Sequence, residues 1–170
     1  MESERLSYSE IRTGHLHVFH SLVQDDHVRR YLFDGQVLSI LWSAETIRAS
    51  QSLFERRSVG IWLVRQKFTE QLIGFCGFVE FAEFATVHPE PQLVYAMFAR
   101  FAGIGYATEM AAASIAEARK YEGFATIVAS VDEVNASSLR VLEKLGFKWI
   151  ATLQGAFGNM FLLRLSGADR

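Results

Sequence analysis

The chain is poor in residues that cross-link, break or overcharge a fold. Its 170 residues include one cysteine, Cys76, and two prolines, Pro89 and Pro91. A lone cysteine rules out a disulfide framework within the chain, and the cytoplasm is the compartment to expect. Cys76 lies in the apolar run Ile73-Gly74-Phe75-Cys76-Gly77-Phe78. With no basic neighbour to favour a thiolate, it reads as a small buried hydrophobe. Charge of either sign is not in excess: 17 Lys and Arg face 19 Asp and Glu, a net −2. That balance argues against nucleic acid or an anionic membrane as the main partner. No apolar run is long enough for a membrane span, because Glu80 and Glu83 break the longest one. Met1 to Arg12 is polar and charged, unlike a signal peptide. Repeats, low-complexity tracts and linkers are missing, so a single domain over 1–170 is expected. His15, His17 and His20 have no cysteine or clustered carboxylate beside them, so no metal is expected. They read as exposed positions on a first helix. Trp42, Trp62 and Trp149 lack an accompanying basic stripe and read as core or pocket wall rather than a base-stacking platform.

What is present is an ordinary supply of core: half the residues are apolar and 21% are charged. Arg5 to Ile11 reads as a short strand. Thr13 is placed to cap a helix through Val23, with Leu16, Phe19, Leu22 and Val23 on one face. Asp25-Asp26 precede a further helical turn or two from His27 to Tyr31. A helix is expected from Ser43 until Gly60. Ile61 to Arg65 and Leu72 to Phe81 read as strands joined by a polar turn, and Leu93 to Phe98 as a third. Ala107 to Tyr121 reads as a helix with Glu109 in its first turn and Gly123 beyond its end. Thr126 to Val131 is a strand. Asn135 to Lys144 is a helix with Asn135 as N-cap and Gly146 as its left-handed stop. Trp149 to Leu153 and Met160 to Leu165 form a closing hairpin. The order specifies a mixed α/β fold, not a regular parallel array.

The most informative stretch is Arg100-Phe101-Ala102-Gly103-Ile104-Gly105-Tyr106-Ala107, between a strand and a helix. Two glycines there let backbone N–H groups reach a ligand, and the helix N-terminus favours phosphate or pyrophosphate. A dinucleotide fingerprint needs a third glycine, where this chain has Thr108. The acidic residue that would hold the ribose is missing at the right distance, Asp132 being too far on. The Gly-Lys-Ser/Thr of a P-loop is absent.

Arg100-x-x-Gly103-x-Gly105 resembles the pyrophosphate loop of the GNAT superfamily, the acyl-CoA-dependent N-acetyltransferases. Further motifs follow in order and are similar to the RimJ/RimL-like branch. These are Leu72 to Gly77, Glu90 to Tyr95, Gly103 to Glu109, and Asn135-x-x-Ser138 followed by Leu142-Glu143-Lys144-Leu145-Gly146-Phe147. The resemblance covers about Leu72 to Phe147 well and Arg5 to Arg65 only in outline. It implies the GNAT fold, a mostly antiparallel central sheet splayed at the cofactor site and flanked by helices. By the same resemblance, backbone groups of Tyr95, Ala96 and Met97 hold the pantetheine arm and the acetyl carbonyl. Arg100 and the amides of Ala102, Gly103, Ile104, Gly105, Tyr106 and Ala107 hold the pyrophosphate, and Asn135 contacts the pantetheine. Ser138 is either a capping partner or a group near the thioether.

The implied activity is transfer of acetyl from acetyl-CoA, without a metal, to a primary amine such as a protein N-terminus or a small molecule. Homodimers are common in the family, although no sequence feature demonstrates one here. Two positions depart from the pattern. Gln92 stands where the branch often has Glu and cannot act as a base. Leu142 stands where many members carry a Tyr acid. Glu90, two residues before Gln92 and on the same strand face, is the replacement base, with Glu80, Glu83 and His88 as further choices. The closing hairpin from Lys148 to Ser166 contains neither Asp nor Glu, which leaves acid–base help to solvent and Ser138, or catalysis mainly to proximity. These departures keep open an alternative, an acyl-CoA-binding sensor with little catalysis.

Overall fold

A computed structural model of the chain describes residues 1–80, 91–155 and 158–167. Seven strands form one sheet in the order β1-β2-β3-β4-β5-β7-β6. They are β1 (Leu6–Glu10), β2 (Ile61–Gln66), β3 (Leu72–Val79), β4 (Gln92–Met97), β5 (Thr126–Asp132), β6 (Lys148–Gly155) and β7 (Gly158–Ser166). Among the described residues the α-helices are α1 (Leu16–Gln24), α2 (Asp26–Leu32), α3 (Ile40–Arg57), α4 (Tyr106–Ala118) and α5 (Ala136–Lys144). The mixed α/β architecture is the one the sequence predicts.

The sheet's two faces bury separate cores. On one face Leu93, Met97, Ala129 and Val131 pack with Met110 and Ile115 of α4 and Leu142 of α5. On the other, Ile61, Leu63, Phe75 and Val94 pack with Phe19 and Leu22 of α1, Val28 of α2 and Ile47 of α3. Strand alternation produces this division, since successive side chains of β4 go to opposite faces. Phe75 meets Phe19 edge-on, with ring centroids 5.4 Å apart. Full burial of such a ring contributes roughly 1.5–3 kcal/mol.

β1 to β4 pair as antiparallel neighbours. β5, β7 and β6 form a second antiparallel group. The two groups meet through one parallel pair, Gln92 with Val128. Beyond it β4 and β5 diverge. Gly74 keeps β3 close against β4 there: a Cβ at that position would come within 2.0 Å of the Ala96 carbonyl oxygen.

Several element boundaries differ from the sequence reading. Residues Thr13–His15 form a 3-10 turn, and α1 starts only at Leu16. Helix α3 begins at Ile40, with Ser39 as N-cap accepting from the Trp42 amide at 3.1 Å. Ser43 is therefore interior; it is fully buried and its hydroxyl lies 2.9 Å from His20 Nδ1. Helix α4 ends at Ala118 rather than Tyr121, because Lys120 and Tyr121 switch to the tighter i→i−3 bonding common at helix ends. Trp62 is core and Trp42 packs on Phe19 and Phe33, but Trp149 lies on an outer strand and is 62% exposed.

Candidate active site

Where β4 and β5 separate, a cleft of about 310 Å³ opens. Its walls come from both faces of the sheet. Ser138, Arg140 and Lys144 of α5 line it on one side, and His27, Tyr31 and Leu32 of α2 on the other. The cleft therefore runs through the sheet rather than over it.

The strand residues singled out from sequence, Tyr95, Ala96 and Met97, line this opening. Their β3-facing edge is paired, to Cys76, Phe75 and Gly74. Towards β5 the ladder ends at Gln92, so their other edge faces the cleft. Ala102, Gly103, Gly105 and Ala107 continue the wall towards the α4 N-terminus. Gly103 and Gly105 have φ of +81° and +89°, a backbone that L side chains rarely adopt. Gly105 is the N-cap of α4, and no side chain caps the helix. The amides of its first turn have no intrahelical partner, as at any helix start, and are left to solvent or a ligand.

Three predicted loop residues lie behind this wall. Arg100 stacks on the rings of Phe98 and Phe101, at 4.5 and 4.7 Å from their centroids. The side chain of Tyr106 is buried beneath Arg5, whose guanidinium is 4.5 Å from the ring centroid. Ile104 is 53% exposed and offers its carbonyl to Arg5 Nη1 at 3.0 Å. Arg5 also donates through Nε to Glu109 Oε2 at 2.7 Å and through its amide to Oε1 at 2.8 Å. The Ser3 hydroxyl donates to the same Oε1 at 2.6 Å. Burial would raise the Glu109 carboxyl, but these donors outweigh it and hold it below the usual carboxylate range. The first residues of the chain thus brace the glycine loop, a tie that no local sequence pattern announces.

Across the opening, Asn135 caps α5 by accepting from the Ser138 amide at 3.1 Å. The Ser138 hydroxyl lies 2.7 Å from the Tyr95 hydroxyl, which also donates to the Ser138 carbonyl at 3.3 Å. Burial pushes the Tyr95 phenol up to about 12, with the Ser138 hydrogen bond working against it. The phenol therefore stays protonated. Tyr95 was singled out for its backbone; its side chain is also engaged, linking β4 to α5 across the gap.

The sequence candidates for a base fare differently. Glu90, Glu83 and His88 lie outside the described residues. Glu80 is paired with Arg56 of α3 at 2.9 Å, and that hydrogen bond is the main cause holding its carboxyl below the usual range. Gln92 is 1% exposed, and neither polar atom of its side chain has a hydrogen-bond partner among the described residues. Leu142 is buried core and also borders the cleft. His15 and His20 diverge, one accepting from the Arg12 amide and the other meeting Ser43. Among the described residues no cluster of three His, Cys, Asp or Glu is arranged to hold a metal ion. Cys76 is buried against Ser114 and its thiol is pushed up to about 12 by that burial, so it is inert. Sequence reasoning missed His27. The available signal was its place beside Val28, Tyr31 and Leu32, at i, i+1, i+4 and i+5 on one face of α2.

Residues 5–148 match the model of the acetyltransferase (GNAT) domain. Among curated proteins, the chain is 32% identical to the uncharacterised protein YkkB of Bacillus subtilis over 97 residues, 56% of this chain and 55% of YkkB. That match thus spans about half the length of the relative. Among solved structures, a GNAT-family acetyltransferase from Bordetella pertussis superposes with a TM-score of 0.85 at 19% identity, over 98% of both chains. A RimL ribosomal L7/L12 α-N-protein acetyltransferase, solved with coenzyme A, superposes with a TM-score of 0.79 at 16% identity, over 98% of this chain and 97% of the other. At such identities the structures speak for the fold, whereas the domain match covers most of the sequence: the chain belongs to the GNAT acetyltransferase family.

Proposed function

We propose that the protein is an acetyl-CoA-dependent N-acetyltransferase of RimJ/RimL-like type, acting on a primary amine. One observation carries this reading: the cleft passes through the sheet where β4 and β5 part, with the uncapped glycine N-terminus of α4 on its rim. A long thioester with a pyrophosphate fits such a channel. The pyrophosphate takes the amides of residues 102–107, the pantetheine runs along the unpaired edge of β4 from Met97 to Tyr95, and Asn135 meets it from α5. The thioester then sits in the opening, reachable by an amine from the other face. The amine attacks the carbonyl carbon, and the oxyanion takes an amide on the open edge of β4 at its Tyr95 end. The C–S electron pair leaves on sulfur, and the thiolate accepts a hydrogen bond from Ser138, held in place by Asn135 at its amide and Tyr95 at its hydroxyl.

The RimL neighbour acts on a protein N-terminus, which keeps an α-amine among the acceptors alongside small amines. A single buried thiol with no disulfide partner suits a reducing compartment, and the cytoplasm is the proposed location. Titration calorimetry with acetyl-CoA, followed by thiol release across a panel of amines, tests the whole reading. Binding and amine-dependent release are expected; no binding at millimolar acetyl-CoA refutes it. Gln92, an amide that cannot serve as a base, and the apolar Leu142 favour a second reading, an acyl-CoA-binding sensor. Tight binding without release for any amine selects it.

A further inference from the structure

We propose that His27, on α2, takes the proton from the attacking amine. This rests on the acetyl-transfer reading and supplies the base that reading lacks. The argument begins with the two faces of the sheet. Ser138 and Tyr95 bound the cleft from the α5 face, where a leaving sulfur finds its donor. His27, Val28, Tyr31 and Leu32 bound it from the α2 face, where an amine enters. An amine attacking a carbonyl from one side loses its proton on that side. The sulfur departs with the bulk of the cofactor on the other.

Among the described residues lining the cleft there is no carboxylate. Arg140 and Lys144 are cationic and lie on α5, and the two tyrosine phenols are weak acceptors. An imidazole offers a lone pair when neutral and can pass the proton on to water. His27 is placed for this. Its amide donates to the capping carboxylate of Asp25 at 3.0 Å, which fixes the first turn of α2. Its ring stands edge-on to Tyr31, with centroids 5.0 Å apart. Among the described residues no hydrogen bond occupies either ring nitrogen, so both remain open to the cleft or its water.

The balance is simple. The amine nitrogen's lone pair forms the C–N bond, and His27 accepts one N–H proton directly or through one water. The C–S pair leaves as thiolate, which accepts a hydrogen bond from Ser138 and takes its proton from solvent as His27 releases its own. Charged and titratable groups near His27 in the chain are Asp25, Asp26, Arg30 and Tyr31, on or beside α2, and those sharing the cleft lining with it are Tyr95 on β4 and Arg140 and Lys144 on α5. Asp132, at the end of β5, borders an adjoining cavity with Arg30 and Asp34 and is the rival base.

The test is a pH–rate profile of the full chain with acetyl-CoA and two acceptors of different basicity, spermidine and a serine-initiated peptide. An acid limb common to both acceptors belongs to the enzyme rather than to the amine. His27→Gln is expected to lower kcat/KM by about 10²-fold and to flatten that shared limb, with acetyl-CoA affinity by calorimetry within about twofold of wild type. Added imidazole restores part of the rate. Asp132→Asn keeps the limb. Persistence of the shared limb in His27→Gln, or its loss in Asp132→Asn alone, overturns the role of His27 while leaving acetyl transfer intact. Wild-type protein that binds acetyl-CoA but acetylates neither these acceptors nor any other amine of the panel overturns the transfer reading, and the role of His27 with it.

Discussion

The two faces of the sheet are built by different means. On the α4–α5 face, polar ties fix geometry: Ser3 and Arg5 on Glu109, Asn135 on Ser138, and Tyr95 on Ser138. On the α1–α3 face, packing predominates: Phe19 on Phe75, and Trp42 between Phe19 and Phe33. Hydrogen bonds demand particular partners at particular distances, whereas an apolar wall tolerates exchange of one hydrophobe for another of similar volume. The face proposed for the cofactor is thus specified atom by atom. The face proposed for the acceptor is specified mainly by shape, which suits a site whose ligand differs among proteins of one fold.

Substitutions on the polar face are the sharpest way to break this contrast. Ser138→Ala is expected to have the largest effect, lowering kcat by about 10²-fold with the KM for acetyl-CoA nearly unchanged; steady-state kinetics read both. An equal rise in KM would show that Ser138 only shapes the pocket. Gly105→Val comes next. It forces an L side chain into the left-handed region, at a cost of roughly 1–3 kcal/mol, and calorimetry should show acetyl-CoA binding weakened about 10- to 100-fold.

Arg5→Ala probes the brace behind the loop. Losing it is expected to raise the KM for acetyl-CoA by about fivefold, on the order of 1 kcal/mol, while acetyl-pantetheine, which lacks the pyrophosphate, is turned over as by wild type. A parallel loss with both donors would show a general destabilisation instead. The smallest effect is one of pH. Glu109 is held below its unfolded-state value of about 4.3, so its ionised form stabilises the native state above that value. The contribution is lost as pH falls from there through the lower folded value. Acid unfolding of Glu109→Gln, followed by circular dichroism, should be less steep in that window and parallel to wild type above pH of about 6.

Legibility in the sequence divides along the same line. Strand β4, the glycine loop, α4 and the Asn135 cap are local devices: a glycine at positive φ, a free helix start and an Asx cap each leave a mark within a few residues. The start of α3 was hidden because Val37, Ile40 and Leu41 are largely exposed apolar residues, which blur the hydrophobic period at its first turn. Partners far apart in the chain leave no local mark. Nothing near Arg5 signals Glu109, and the shared face of His27, Val28, Tyr31 and Leu32 marks an inward side of α2 without saying that a cleft between β4 and β5 lies beneath it. The side-chain bond of Tyr95 to Ser138 was equally invisible, because strand alternation reveals which face a residue takes but not what waits on it.

The lone Gln92–Val128 pair has a mechanical consequence. Four strands on one side and three on the other share a single backbone pair, so beyond it only apolar packing and the Tyr95–Ser138 bond hold them together, at less cost to part locally than a continuous ladder. A ligand threaded through the gap touches both groups of strands and acts as a splint. The backbone amides of Tyr95 and Met97, which point to the open edge, should therefore exchange quickly in the empty protein and slow sharply when the gap is filled.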